Sequence, residues 1–157
     1  MRTMVAAAIL ICLSGSSAWA QTATPDLSKG IYASAADVAA VVKKVGDVPN
    51  GNGRIIQLAP YNVAIEHRMP AKQGASVHEK EAELFYIIDG SATIVTGGKL
   101  IDEKRNGDNL TGTGIEGGTP QRLSKGDFIM VPPGVPHWFS NVDSPLTQMS
   151  LHLPMAK

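Results

Sequence analysis

Four histidines, one cysteine and a scatter of carboxylates are the side chains of this 157-residue protein best suited to chemistry. Cys12 lies in an apolar N-terminal run, and every residue after it offers neither a thiol nucleophile nor a thiolate metal ligand. No serine, histidine and aspartate combination stands out as a nucleophilic set. Interest therefore falls on imidazoles and carboxylates. His137 follows a corner stiffened by Pro132, Pro133 and Pro136, in which Gly134 permits a backbone angle that a side chain would resist. Gly126-Asp127 turns into the apolar strand that precedes this corner. In the strand that begins at His137, alternation places Phe139 and Asn141 on the same face. Four residues separate His78 from Glu83, and Glu79, Lys80 and Glu81 among them read as a solvated turn. His67 shares a strand face with Val63, Ile65 and Met69 and reads as a hydrogen-bonded core histidine. It would offer an imidazole to a metal only if that face lined the interior. His152 alternates with Ser150 and Gln148, opposite Met149, Leu151 and Leu153, so it is expected on the surface.

Gly126 to Asn141 fits the pattern G-x5-P-x-G-x2-H-x3-N at every defined position and resembles the second signature motif of the cupin family. The family's first motif, G-x5-H-x-H-x(3,4)-E-x6-G, is met in part. Six residues separate Glu83 from Gly90, which sets the register, and His78 then takes the second histidine position. Ser76 stands where the family has its first histidine. Moving His78 to the first position would put Lys80 in the second and break the spacing to the glutamate. The resemblance covers residues 76–141, about half of the expected mature chain.

The resemblance implies an all-β protein: a conical barrel of roughly six to eight strands, of the double-stranded β-helix or jelly-roll kind, with a metal ion in its mouth. Cupins often bind manganese, iron, nickel, zinc or copper through three histidines and a glutamate. Carried over position by position, the metal ligands here are His78, Glu83 and His137, and the cofactor is a divalent ion such as Fe, Mn, Zn or Ni. Two imidazoles and a carboxylate also form the facial set that suits non-haem iron, with open positions for substrate or oxygen. A serine hydroxyl at Ser76 is a poor ligand at neutral pH. The function implied is that of a metalloenzyme acting on a small molecule, of dioxygenase, lyase or isomerase type, and the fold does not choose among these. The alternatives are a non-catalytic module that holds a small ligand or the metal, and a metal-free structural barrel. By the same analogy the protein is expected to form a homodimer.

The elements that must position these residues are short. Ser34-Ala35-Ala36-Asp37 reads as a helix start, and Val38, Val41, Val42 and Val45 recur at helical spacing up to Gly46. This predicts one short amphipathic helix that closes a core. Strands are expected at residues 54–59, 61–69, 84–88, 92–95, 99–101, 121–123, 128–131, 137–142 and 148–153. Asp89-Gly90 predicts one hairpin and Gly97-Gly98 a second. Residues 102–119, rich in Gly, Asp and Asn, read as a long exposed loop. Phe85, Tyr86, Trp138 and Phe139 read as barrel packing.

The 16 glycines and 10 prolines suit a turn-rich β architecture. Fourteen basic and fourteen acidic residues cancel, so no broad field attracts nucleic acid or an anionic membrane. Arg2, the apolar run from Met4 to Leu13 and Ala18-Trp19-Ala20 have the order of a secretory signal, with cleavage expected after Ala20. That run is too short to span a bilayer, which takes about 20 residues. The expected organisation is a signal peptide at 1–20, a lead-in and helix at 21–53 and a barrel at 54–157, free in the periplasm or secreted, with no disulfide and no membrane anchor.

Overall fold

The computed structural model describes residues 27–155, so the expected signal peptide and the cleavage site after Ala20 lie outside the described residues. One helix, α1 (Ala35–Gly46), opens the described fold. The Ser34 hydroxyl accepts from the Asp37 N–H at 3.1 Å, and the Asp37 carboxylate accepts from the Ser34 N–H at 2.9 Å. This reciprocal pair satisfies two backbone donors that the first turn would otherwise leave free. Helix α1 is followed by β1 (Asn52–Leu58), β2 (Tyr61–Arg68), β3 (Ala75–His78) and the long β4 (Glu81–Thr96). Five short strands come next: β5 (Lys99–Ile101), β6 (Lys104–Asn106), β7 (Asn109–Gly112), β8 (Gly114–Glu116) and β9 (Thr119–Ser124). β10 (Phe128–Val131) and the 18-residue β11 (His137–Pro154) complete the described chain.

An antiparallel ribbon of β4 and β11 is the spine of the structure. The two strands pair from His137 opposite Thr96 to Pro154 opposite Glu81. β9 and β10 pair with β4, while β2 and then β1 extend the sheet from β11. β3 pairs with the start of β11 and carries β7 and β6 outward. The ribbon bends where the sequence predicts a hairpin. Gly90 has φ +84°, and a Cβ there would collide with the Pro145 carbonyl oxygen. The left-handed glycine therefore serves a bend inside one continuous strand, with matching register shifts in β11 between Phe139 and Gln148. For the same reason the strands expected at 137–142 and 148–153 are two halves of one.

Two further expectations are corrected. The chain does turn at Gly97-Gly98, but β5 pairs with β8 in a separate two-stranded ladder and not with β4. Residues 102–119 contain β6, β7 and β8, with a tight turn at Asn106-Gly107, the Asn-Gly signal of a hairpin. The core lies between the two halves of the bent ribbon and is built from Phe85, Ile87, Ile94, Leu123, Val131, Phe139 and Leu146, all buried. Phe85 and Phe139 meet edge to face at 5.3 Å, and full burial of each such side chain contributes about 1.5–3 kcal/mol.

The faces of β2 and β11 decide what the interior contains. Gly53 pairs with Ile65, and a Cβ on Gly53 would strike the side chains of Val41 and Val45. Helix α1 thus covers the outer face of β1 and β2, where Ile65 and His67 reside. The opposite face of β2, with Asn62, Ala64, Glu66 and Arg68, lines the interior. Its partners on β11 are His152, Ser150, Gln148 and Leu146. The polar set of β11 points inward and Met149, Leu151 and Leu153 point out, the reverse of the expected arrangement. Glu66 makes the polar interior tenable: its carboxylate accepts from Arg68 at 2.7 Å, Gln148 at 3.0 Å and Ser150 at 3.2 Å.

Candidate metal centre

Three strands deliver His78, Glu83 and His137 to one point. His78 ends β3, Glu83 is the third residue of β4 and His137 opens β11. The proline corner works as the sequence suggests: Gly134 has φ +75°, and its N–H donates to the His78 carbonyl at 2.8 Å. Gly97 donates to the Pro136 carbonyl at 2.9 Å, so the corner is tied on both sides before His137 enters the barrel. Beyond it a register shift between Phe139 and Asn141 breaks the expected alternation. His137 and Phe139 are buried, whereas Asn141 turns outward and donates to Asp143 at 2.6 Å.

The structure adds a fourth member that the sequence reading put on the surface. His152 is the cross-strand partner of Glu83 and enters the same cluster. The Nε2 atoms of His78 and His137 each lie 3.2 Å from Glu83 Oε2, and His152 Nε2 lies 3.3 Å from Oε1. Three imidazoles thus present the same nitrogen to one buried carboxylate. The far nitrogens set the tautomers of two of them. His78 Nδ1 bonds Asn109 Oδ1 at 3.0 Å, and His152 Nδ1 bonds Glu81 Oε1 at 2.7 Å. Each Nδ1–H donates outward, which leaves Nε2 facing the centre. His137 Nδ1 is buried and has no hydrogen-bond partner among the described residues.

The surroundings hold this geometry from outside. Arg105 pairs with Glu79 at 2.7 Å and Lys80 with Asp108 at 2.8 Å, clamping the β6–β7 hairpin to the turn after His78. The segment read as a solvated turn is therefore split: Glu79 and Lys80 face out, while Glu81 supports His152. His67 stays apart as expected, its Nδ1 3.3 Å from Thr147 Oγ1 on the helix-covered side. Ser76 pairs with His137 across β3 and β11, and alternation gives it the face of His78. His152 thus brings a third imidazole to the Glu83 carboxylate, from a strand more than 70 residues beyond His78.

Electrostatics reflect the same convergence. Burial by itself would raise the Glu83 carboxyl, but hydrogen bonds from His137, His152 and His78 hold it well below the usual carboxylate range. The hydrogen bond to Glu83 leads in raising His152 to about 9, against the opposing effect of burial. Burial disfavours the His78 cation, yet bonds to Glu83 and Asn109 carry its pKa above the ordinary value. Without an ion, the carboxylate and protons shared among the imidazoles compensate one another. Two overlapping sets could each hold a divalent ion: His78, Glu83 and His137 have ligand atoms all within 4.8 Å of one another, as do His78, Glu81 and His152.

The cupin sequence profile matches residues 71–152, just over half of the 157. The chain belongs to the cupins. No curated protein sequence matches it. Similar folds occur in BH2720 from Bacillus halodurans, with TM-score 0.51 and 10% identity over 73% of this chain and 78% of that one. The cupin domain of Cnp3 from Schizosaccharomyces pombe gives TM-score 0.50 and 14% identity over 71% and 67%. TT1209 from Thermus thermophilus gives 0.49 and 16% over 68% and 84%. At these identities the likeness concerns the fold alone. Among the described residues of this cupin, no helix is long and apolar enough to cross a membrane.

Proposed function

We propose that this cupin is an exported metalloprotein whose His78, Glu83, His137 and His152 hold one divalent ion, and that it acts as an enzyme on a small molecule. The observation that carries the reading is the convergence of three Nε2 atoms on the Glu83 carboxylate at 3.2–3.3 Å. Four protein donors leave open positions on an ion that prefers six. A divalent ion there supplies a Lewis acid for a small-molecule ligand, which is what dioxygenase, lyase and isomerase chemistry have in common. The chain's own contribution is orientation. Asn109 and Glu81 fix two tautomers, and the buried carboxylate supplies the negative charge. Export rests on the N-terminal signal pattern, and self-association into a homodimer rests on the family resemblance.

Metal analysis of the purified protein, followed by zinc and manganese titration of His78→Ala, Glu83→Ala and His137→Ala, tests the centre. Each variant is expected to fold by circular dichroism and to bind metal far more weakly than wild type. A wild-type protein without metal affinity, or variants that bind as well as wild type, would overturn it. Turnover of a substrate by the loaded protein separates the enzyme from a binding module with the same centre. Intact mass of exported protein lacking residues 1–20 tests the signal assignment.

A further inference from the structure

Glu83 is not the only carboxylate that His78 and His152 face. The two rings meet edge to face with centroids 5.0 Å apart, and each lies between two carboxylates. Their Nε2 atoms face Glu83, at 3.2 and 3.3 Å. Their Nδ1 atoms face Glu81 Oε1, which is 3.7 Å from His78 and 2.7 Å from His152. Asn109 Oδ1 adds a second oxygen 3.0 Å from His78 Nδ1. Strand alternation brings the carboxylates together, because Glu81 and Glu83 stand two residues apart on one face of β4.

Metal bonds of about 2.1 Å place tetrahedral donors about 3.4 Å apart, and the spacings around Glu81 straddle that value. His78, Glu81 and His152 are all partly exposed, whereas Glu83 and His137 are buried. The members of the inner cluster that reach solvent are thus the two rings that also face Glu81. Solvent approaches Glu83 past those same rings. A neutral imidazole has one lone pair, so a ring ligates through one nitrogen while the other carries its proton. An inner position on the Nε2 side and an outer position on the Nδ1 side are therefore filled in turn and not together.

We propose that Glu81 and the Nδ1 atoms of His78 and His152, with Asn109 as a further oxygen donor, form an outer landing position for a divalent ion, from which the two rings pass it to the inner centre. This assignment rests on the reading of His78, Glu83, His137 and His152 as that centre. On transfer each ring exchanges Nδ1 for Nε2 as the ligating atom, and its proton moves from Nε2 to Nδ1 through water. The proton count is unchanged. With the outer position filled, the Nε2–H groups donate to Glu83. With the inner one filled, the Nδ1–H groups donate to Asn109 and Glu81.

Zinc is the probe, and long-range proton–nitrogen NMR of the imidazoles reads which ring nitrogen it occupies. Saturated wild type should carry zinc on the Nε2 atoms of His78 and His152. The double variant Glu83→Ala/His137→Ala strips the inner position and leaves the outer set intact, so it should bind zinc more weakly and on the Nδ1 atoms. Adding Glu81→Gln should abolish that binding. As a single change, Glu81→Gln keeps an acceptor for His152 Nδ1–H but loses the charge. It should slow zinc uptake, and release to a chelator, by about tenfold or more each in stopped flow, with their ratio changing far less. A folded double variant that binds no zinc, or binds it through Nε2, overturns the outer position. So does a Glu81→Gln protein with wild-type rates or with faster release alone, and this arm decides if the double variant does not fold. Zinc on Nε2 in wild type together with either of those results rejects the outer position and keeps the inner centre. Zinc on Nδ1 in wild type, unaffected by loss of Glu83 and His137, rejects the inner centre and the transfer. Wild type that takes up no zinc rejects both positions.

Discussion

Replacing His152 by alanine pits two opposing energies against each other. Sites with four protein ligands are worth about 10–16 kcal/mol for zinc, so one donor in four contributes roughly 3 kcal/mol. Against this gain, the metal must displace the proton that His152 holds up to about pH 9. At about 1.4 kcal/mol per pH unit, that displacement costs roughly 3 kcal/mol at pH 6.5 and less than about 1 kcal/mol at pH 8.5. Alanine removes both the donor and its proton. The variant should therefore bind zinc about 40-fold more weakly than wild type at pH 8.5 and about equally well at pH 6.5. Competition against a chelator of known affinity at both pH values reads the ratio directly, with circular dichroism to confirm the fold. A His152 that only neighbours the metal gives a different result, because removing a nearby cation would not weaken binding at pH 8.5. Equal affinities at pH 8.5, or a ratio that does not change with pH, refute the four-ligand centre.

Without metal, the pair of Glu83 and His152 should make stability depend on pH. His152 is raised from 6.5 to about 9, so its contribution is full below about pH 6.5 and is lost as pH rises through about 9. Thermal melts of chelated protein should fall between pH 7 and 9.5, and Glu83→Gln should flatten that fall. Ser76→His places an imidazole on the face of His78 opposite His137. It should restore zinc affinity to His152→Ala at pH 8.5, measured by the same chelator competition. Asn109→Ala frees the His78 ring and should cost about 10–100-fold in metal affinity with an unchanged melting temperature after chelation. Gly90→Ala meets both a left-handed angle and the Pro145 carbonyl, and should lower stability by on the order of 3 kcal/mol. At Gly134 a Cβ meets nothing within 4 Å among the described residues. Gly134→Ala should therefore cost only the backbone preference, about 1–2 kcal/mol in denaturant unfolding.

The sequence made the capped helix, most strands and three of the four cluster residues legible, because each rests on local order. Ser34 with Asp37, the valine spacing and the corner before His137 are all short-range patterns. What escaped was non-local. Alternation divided β11 correctly into Gln148, Ser150 and His152 against Met149, Leu151 and Leu153. The apolar set was then assigned to the interior, as burial of hydrophobic side chains ordinarily demands. Here Glu66 and Arg68 on the neighbouring strand make a polar interior tenable, and nothing in β11 itself announces them. One signal was present. The first motif lacked an imidazole, and only His67 and His152 remained to supply it. The Asp89-Gly90 pair misled for a similar reason, since a left-handed glycine serves a strand bend as well as a turn.

The bent ribbon has a kinetic consequence. His137 and His152 stand 15 residues apart on β11, a span of about 50 Å if the strand ran straight, yet both reach the same carboxylate. The chain must close that loop, and a longer one from His78 to His152, before any of the cluster's interactions reward it. Assembly of the centre is therefore a late event in folding, and an ion seated there acts as a clasp on a ring of 75 residues, slowing its opening without hastening its closure.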